Sequence, residues 1–328
     1  MALDLLKNGL LPPLVGALLD GSEVGLLSPV RFQAPGSPLP SAPQPAADRR
    51  ELGAALTTAN EEYGHPAARE VGRKLAAPET LVVITGQQPG LFGGPLYSLS
   101  KAVAAVRWAE RLEQAGQPAV ALFWIATEDH DFKESSRATF FAHDGPRTFD
   151  LGEDPAPLRP MGLRSLGKEV ERVLVELREA IPGENFSAWI DQMGQWYRPE
   201  NDFGTAFAEL LVHLLGTRAP LMVDSLLPEL KRAEAPWMRR LVERRADVAE
   251  AASQRDRVIE AAGFPLQVRP QPGASPLFLL HDGERRRIEW QGEEGLRLRG
   301  TPVVERDVAW LMETLEQEPE VVSAGVLA

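Results

Sequence analysis

The 328-residue sequence has no cysteine, which excludes disulfide cross-links, thiolate metal sites and a thiol nucleophile together. Any metal chemistry would have to come from carboxylates and only 5 histidines. Positive charge is also short. Lys and Arg total 35 against 47 Asp and Glu, and the resulting net charge of −12 repels phosphate backbones and anionic bilayers. No nucleic-acid partner is expected. No run approaches the roughly 18 uninterrupted apolar residues of a membrane-crossing helix. The N-terminal stretch carries Asp4 and Lys7 and breaks at Pro12 and Pro13, so it matches neither a signal peptide nor a span. A cytoplasmic protein with no membrane association is expected. What the chain does have is 44% hydrophobic composition and enough length for a large core.

Six prolines between positions 29 and 45 predict an extended surface connection, followed by helical periodicity through Leu52, Leu56, Val71 and Leu75. The grammar then changes. Leu81, Val82, Val83, Ile84 and Thr85 form a β-branched run typical of a strand buried on both faces of a parallel sheet. A glycine-rich loop follows from Gly86 to Gly94, then a helical pattern after Pro95, then a second apolar run from Ala119 to Ala126. Strand, glycine loop, helix and strand make a right-handed βαβ unit of the doubly wound kind.

Helices are expected over 168–181, from Thr205 to Gly216, and from about Pro236 to Gly263, with a short strand at Leu221, Met222 and Val223. Beyond Leu266 the period becomes two. Asp282-Gly283 between alternating segments predicts a tight hairpin, Gly295 to Arg299 a further strand, and 307–316 a last helix. The chain thus reads as an N-terminal extended and helical segment, 1–75, and an α/β Rossmann-like core, 76–328. That core has a parallel sheet, insertions at about 145–204 and 265–300, and a small antiparallel hairpin.

Loops at the carboxyl ends of parallel strands are where such folds bind ligands. The loop containing Gly86, Gly90, Gly93 and Gly94 is one, although it matches neither GxGxxG nor a P-loop. An anion is expected near Gly93 and Gly94, with Lys101, one helical turn from Tyr97, close by. The second such loop is Thr127-Glu128-Asp129-His130-Asp131-Phe132. Three carboxylates around one imidazole are a costly concentration of like charge unless protons, a metal or a cationic substrate offset it. His130 suits a general base and Asp129 its orienting carboxylate. Strand alternation, if continued, puts Asp129 and Asp131 on one side and Glu128 and His130 on the other. No metal site is expected, because contiguous residues rarely converge on one ion.

Together, Thr85-Gly86-Gln87-Gln88-Pro89-Gly90-Leu91, then Gly94-Pro95-Leu96-Tyr97 with Lys101, then Phe123-Trp124-Ile125-Ala126 running into Glu128-Asp129-His130-Asp131-Phe132, resemble one family. It is BshC, the cysteine ligase family of bacillithiol biosynthesis. The resemblance implies a Rossmann-like core and amide formation between cysteine and glucosaminyl malate. It implies His130 and Asp129 as catalytic candidates. Gly86, Gln87, Gln88, Gly90, Gly93, Gly94, Tyr97, Lys101, Glu128 and Asp131 become candidates for binding substrate or nucleotide, ATP among them. Longer family members continue into a further core segment and a coiled-coil arm that supports a homodimer. This chain stops at Ala328, so a short form or a fragment, apolar and association-prone at its end, is expected. A non-catalytic nucleotide or sugar-malate binding core and a nucleotidyltransferase-like enzyme are the alternatives.

Overall fold

The computed structural model describes residues 11–20, 49–266, 271 and 273–325. The proline-rich stretch 29–45 and the apolar pair Val326 and Leu327 lie outside them.

A short helix, α1 (Pro13–Asp20), precedes α2 (Arg50–Glu62) and α3 (Ala68–Ala76). The βαβ unit follows as β1 (Leu81–Gln87), α4 (Tyr97–Gln114) and β2 (Ala119–Ile125). A single turn, α5 (Phe132–Ser135), leads into a hairpin of β3 (Arg137–Ala142) and β4 (Gly145–Asp150). Helices α6 (Glu169–Ala180), α7 (Glu184–Trp196) and α8 (Phe203–Leu215) precede β5 (Leu221–Asp224). Next come α9 (Pro228–Glu243) and α10 (Arg245–Ala261). Strands β6 (Ala274–His281), β7 (Glu284–Gln291), β8 (Gly295–Leu298) and β9 (Val304–Asp307), helix α11 (Val308–Gln317) and β10 (Val322–Ala324) complete the chain.

Strands β1, β2 and β5 form a parallel sheet in that order, with Leu81 beside Ala119 and Leu122 beside Leu221. Side chains alternate across it. Phe123 and Ile125 pack with Ala102, Phe207 and Leu211 of α4 and α8. Val120, Leu122, Leu221 and Val223 pack on the opposite face with Leu56, Leu75 and Leu230 of α2, α3 and α9. Residues 50–76 are therefore a layer of the core and not a separate segment.

Strand β1 departs from the expectation of double burial: Val82 is 37% and Ile84 57% exposed. Both lie in register with Val120 and Leu122, on the face covered by α2, α3 and α9. That layer stops short of β1. An apolar run alone does not distinguish a central strand from an edge strand with one face covered.

The antiparallel part is larger than the expected hairpin. Five strands pair in the order β10-β6-β7-β8-β9, turning between β6 and β7 at Asp282 (φ 52°) and Gly283 (φ 77°), the geometry an Asp-Gly turn prefers. Leu277, Leu279, Ile288, Leu296 and Leu298 close on Leu311 and Leu315 of α11 and on Met238 and Val242 of α9. Helix α9 thereby joins both sheets. It starts at Pro228, eight residues before the expected Pro236, which sits inside the helix. An internal proline removes one ladder bond, here the one to the Arg232 carbonyl, and tertiary packing retains the helix around it. A break at Arg244 divides α9 from α10.

A further cluster lies beyond the carboxyl end of the parallel sheet. Phe149, Val173, Leu177, Ile190, Met193 and Tyr197 gather around Leu91 and Phe92 of the glycine loop. No helix among the described residues is long and apolar enough to cross a membrane.

Candidate active site

Adjacent parallel strands deliver the two sequence motifs to one rim. The Gln88 side-chain amide donates to Asp129 Oδ2 at 2.6 Å, so the glycine and acidic loops lie side by side. The acidic loop is also held from behind: Met161 N–H donates to the Asp129 carbonyl at 2.7 Å and Gly162 N–H to the Thr127 carbonyl at 2.8 Å. Thr127 fits there because its neighbours lack side chains. A Cβ on Gly162 would stand 2.8 Å from Thr127 Cβ, and one on Gly204 2.5 Å from Thr127 Cγ2.

The strand ends at Ile125, so the acidic residues do not alternate as an extended chain would. Asp129, His130 and Asp131 all line one open cleft of about 770 Å³, with Lys133, Arg137 and Asp154 on its other walls. Glu128 turns away into the interior, where Lys231 Nζ donates to its carboxylate at 2.5 Å. Ser225, just past β5, donates to Thr127 Oγ1 (3.0 Å) and accepts the Glu128 N–H at 3.0 Å. Thr127 also donates to Asp224, whose pKa is raised because burial disfavours its charge. Asp131 caps α5 by accepting the Glu134 N–H at 3.0 Å.

His130 stands apart from these closed pairings. Its Nδ1 is shut off from solvent, has no hydrogen-bond partner and lies 3.7 Å from Asp129 Oδ1. The side chain is 31% exposed, so Nε2 is the ring nitrogen open to the cleft. Its pKa is lowered, chiefly by burial, with Arg285 and Arg164 adding to the effect and Asp129 and Asp131 opposing it. Burial thus favours the neutral ring, the state a proton acceptor needs.

The glycine loop differs from the expected anion cradle. Gly93 N–H is shared between the Tyr197 hydroxyl at 2.8 Å and the Gly90 carbonyl at 3.1 Å, and Gly94 N–H donates to the Leu91 carbonyl at 3.0 Å. Lys101 donates to the Gly86 carbonyl (3.1 Å) and to Gln87 Oε1 (2.9 Å) over the Tyr97 ring. Gln87 in turn donates to Tyr97 and Glu134, 3.0 Å each. These groups satisfy one another in this structure. Close approach explains the glycines instead: a Cβ on Gly90 would meet Gly94 Cα at 2.6 Å, and one on Gly86 would meet the Trp124 carbonyl at 2.7 Å.

Sequence reasoning missed Tyr197, Lys231 and Arg285. Arg285 leaves β7 with a buried guanidinium and reaches Asp129 Oδ1 at 3.5 Å. Three successive arginines, Arg285, Arg286 and Arg287, in a half-buried strand were its available signal, since a buried cation demands a partner. No cluster of metal-ligating side chains is found among the described residues.

A parallel sheet in the order β1-β2-β5, layered by helices on both faces and with an imidazole and a carboxylate lining a cleft at its carboxyl rim, defines a Rossmann-like domain. The chain belongs to the BshC family: the family profile described as "Bacillithiol biosynthesis BshC, N-terminal Rossmann-like domain" matches residues 37–328. Relatives named "Putative cysteine ligase BshC" include that of Solibacter usitatus, 38% identical over 67% of this chain and 42% of its own length. Those of Heliobacterium modesticaldum and Salinibacter ruber are each 32% identical, covering 79% and 86% of this chain and 48% and 52% of theirs. The chain spans about half the length of the curated relatives it matches.

Proposed function

We propose that this chain carries the amine-activating half of a cysteine ligase that joins cysteine to the amine of glucosaminyl malate, giving bacillithiol. The observation that carries this reading is His130: an imidazole with its inner nitrogen facing Asp129 and its outer one facing the cleft. In the step assigned here, the sugar amine nitrogen forms a bond to the carbonyl carbon of a cysteine supplied as an acyl phosphate or acyl nucleotidyl ester. The ester oxygen leaves with its phosphate group, and the amine proton passes to His130 Nε2. Asp129 steadies the imidazolium through Nδ1 as it forms. The carboxylates of Asp131, Asp150 and Glu153 favour the amine-bearing ligand beside His130, and Lys133 and Arg137 of the same cleft offer positive charge to the acyl phosphate. Cytoplasmic action on small molecules is part of the same proposal, as is the dimer of longer relatives.

The test is mass-spectrometric detection of bacillithiol from cysteine and glucosaminyl malate, with and without ATP. It is run with this chain and with the longer Salinibacter ruber relative. His130→Asn, made here and at the aligned position of the relative, is expected to lower turnover about 10²-fold while leaving the unfolding midpoint in place. An unchanged rate and pH profile in that variant would reduce His130 to a structural residue.

A further inference from the structure

Arg285 belongs to the second sheet, yet its guanidinium ends at the rim of the first. It is buried and stacked on Phe278, 3.9 Å from the ring centroid. Its donors divide between two elements. Nε donates to Ser323 Oγ at 3.1 Å and Nη2 to the Ala324 carbonyl at 3.1 Å, both on β10, while Nη1 reaches Asp129 Oδ1 at 3.5 Å. The Arg285 N–H donates to the Leu158 carbonyl at 2.8 Å, which fixes the base of the side chain as well. Every bond but the one to Asp129 goes to a neutral group, so Asp129, with Glu128 close by, supplies the opposite charge that a desolvated cation needs.

Asp129 is correspondingly divided. Oδ2 accepts from Gln88, whereas Oδ1 accepts the His130 N–H at 2.8 Å, faces Arg285 and lies nearest the imidazole Nδ1. One oxygen thus serves both the guanidinium and the ring.

We propose that Arg285 is a positioning residue for the Asp129–His130 pair, fixing the carboxylate from the second sheet and limiting how strongly it draws a proton onto the imidazole. This rests on the reading of His130 as the base. The groups facing that ring are Asp129, Asp131 and Asp154, opposed by Arg164 and Arg285, with Lys133 and Arg137 across the cleft. Removing Arg285 leaves Asp129 to act on the imidazole undivided, and the protonated ring gains. Removing the Asp129 charge takes away the carboxylate nearest both the ring and Arg285, and the protonated ring loses.

The experiment is an NMR titration of the histidine ring protons in the whole chain, His130 being assigned by its loss in His130→Asn. Arg285→Gln is expected to raise the His130 midpoint by about half a pH unit, Asp129→Asn to lower it by a similar amount, and Arg285→Lys to leave it near its starting value. A folded Arg285→Gln with an unmoved midpoint overturns the proposal, because a merely structural arginine changes stability without changing this titration. Should Arg285→Gln fail to fold, Asp129→Asn decides, and an unmoved midpoint there overturns it equally. None of these readouts needs turnover, so a chain that makes no bacillithiol leaves the result standing and refutes only the ligase reading.

Discussion

The side-chain amide of Asn60 exchanges two hydrogen bonds of 2.8 Å with the backbone of Met222, donating to its carbonyl and accepting its N–H. Asn60 is buried in α2, and the pairing gives the outer edge of β5 what a neighbouring strand would supply. Asn60→Leu keeps the branched heavy-atom outline, with methyl groups larger than the amide atoms they replace, and removes both hydrogen bonds. Two buried backbone groups are then unmatched, and a loss on the order of 3 kcal/mol is expected. Urea denaturation would show it as a lower midpoint at unchanged slope; a midpoint within experimental scatter of the parent would mean that water replaces the amide.

Tyr197 locks the glycine loop. Its hydroxyl accepts the Gly93 N–H at 2.8 Å and donates to the Gly90 carbonyl at 3.4 Å, while its ring meets Phe92 edge-on at 4.9 Å. Phe92 sits at φ 53°, a conformation that costs a non-glycine residue about 1 kcal/mol or more. Tyr197→Phe preserves the ring contact and deletes the bonds, so faster amide exchange at Gly93 and a loss of about 1–2 kcal/mol are expected. Equal exchange rates in the two proteins would show that packing on Phe92 alone holds the loop.

Much of this arrangement was legible because local signals carried it. The β-branched runs, the glycine loop and the Asp282-Gly283 turn each state a backbone geometry in a few adjacent residues. The adjacency of the glycine and acidic loops followed from parallel connection alone. What escaped was set by partners distant in sequence. Tyr197 is 104 positions from Gly93, Lys231 is 103 from Glu128 and Arg285 is 156 from Asp129. Nothing local distinguishes the buried Lys231 from the solvated lysines that helices usually carry. The exposed face of β1 escaped for the same reason, because coverage depends on how far another layer extends.

His65 should make stability depend on pH. It is buried, its Nε2–H donates to the Ala219 carbonyl at 2.8 Å, and its Nδ1 accepts the Ala67 N–H at 3.1 Å. That pattern admits only the neutral ring, and burial lowers its pKa. The unfolded chain takes up a proton near the ordinary histidine value of about 6.5 while the folded one does not. The His65 contribution is therefore complete above that pH and is lost as pH falls through it, by up to about 1.4 kcal/mol per pH unit. Glu134, Glu209, Asp224 and Glu234, with raised pKa values, act in the opposite sense. The readout is consequently the difference between the parent and His65→Gln in urea melts at pH 7.5 and 5.5. The parent is expected to lose more of its advantage at the lower pH, and parallel losses would contradict the assignment.

Lys231 is the most deeply buried cation beside the site, its side chain 1% exposed against Glu128 at 11%. It reaches Glu128 at 2.5 Å and Glu234 at 3.5 Å, and Glu234 has its pKa raised by burial. A buried pair of this kind need not add net stability, because desolvation offsets the attraction, but breaking it from one side strands a charge in the interior. Lys231→Met fills the same space without the ammonium and is expected to cost about 3–5 kcal/mol. Adding Glu128→Gln removes the stranded charge, so the double variant should recover much of that loss. The backbone of Glu128 is tied to Ser225 and directly precedes Asp129, so the single variant should also disturb the His130 ring resonances, and the double should restore them. Additive losses in the two single variants and the double, with His130 resonances unmoved throughout, would show that the pair is independent of the cleft and that Glu128 plays no part in shaping it.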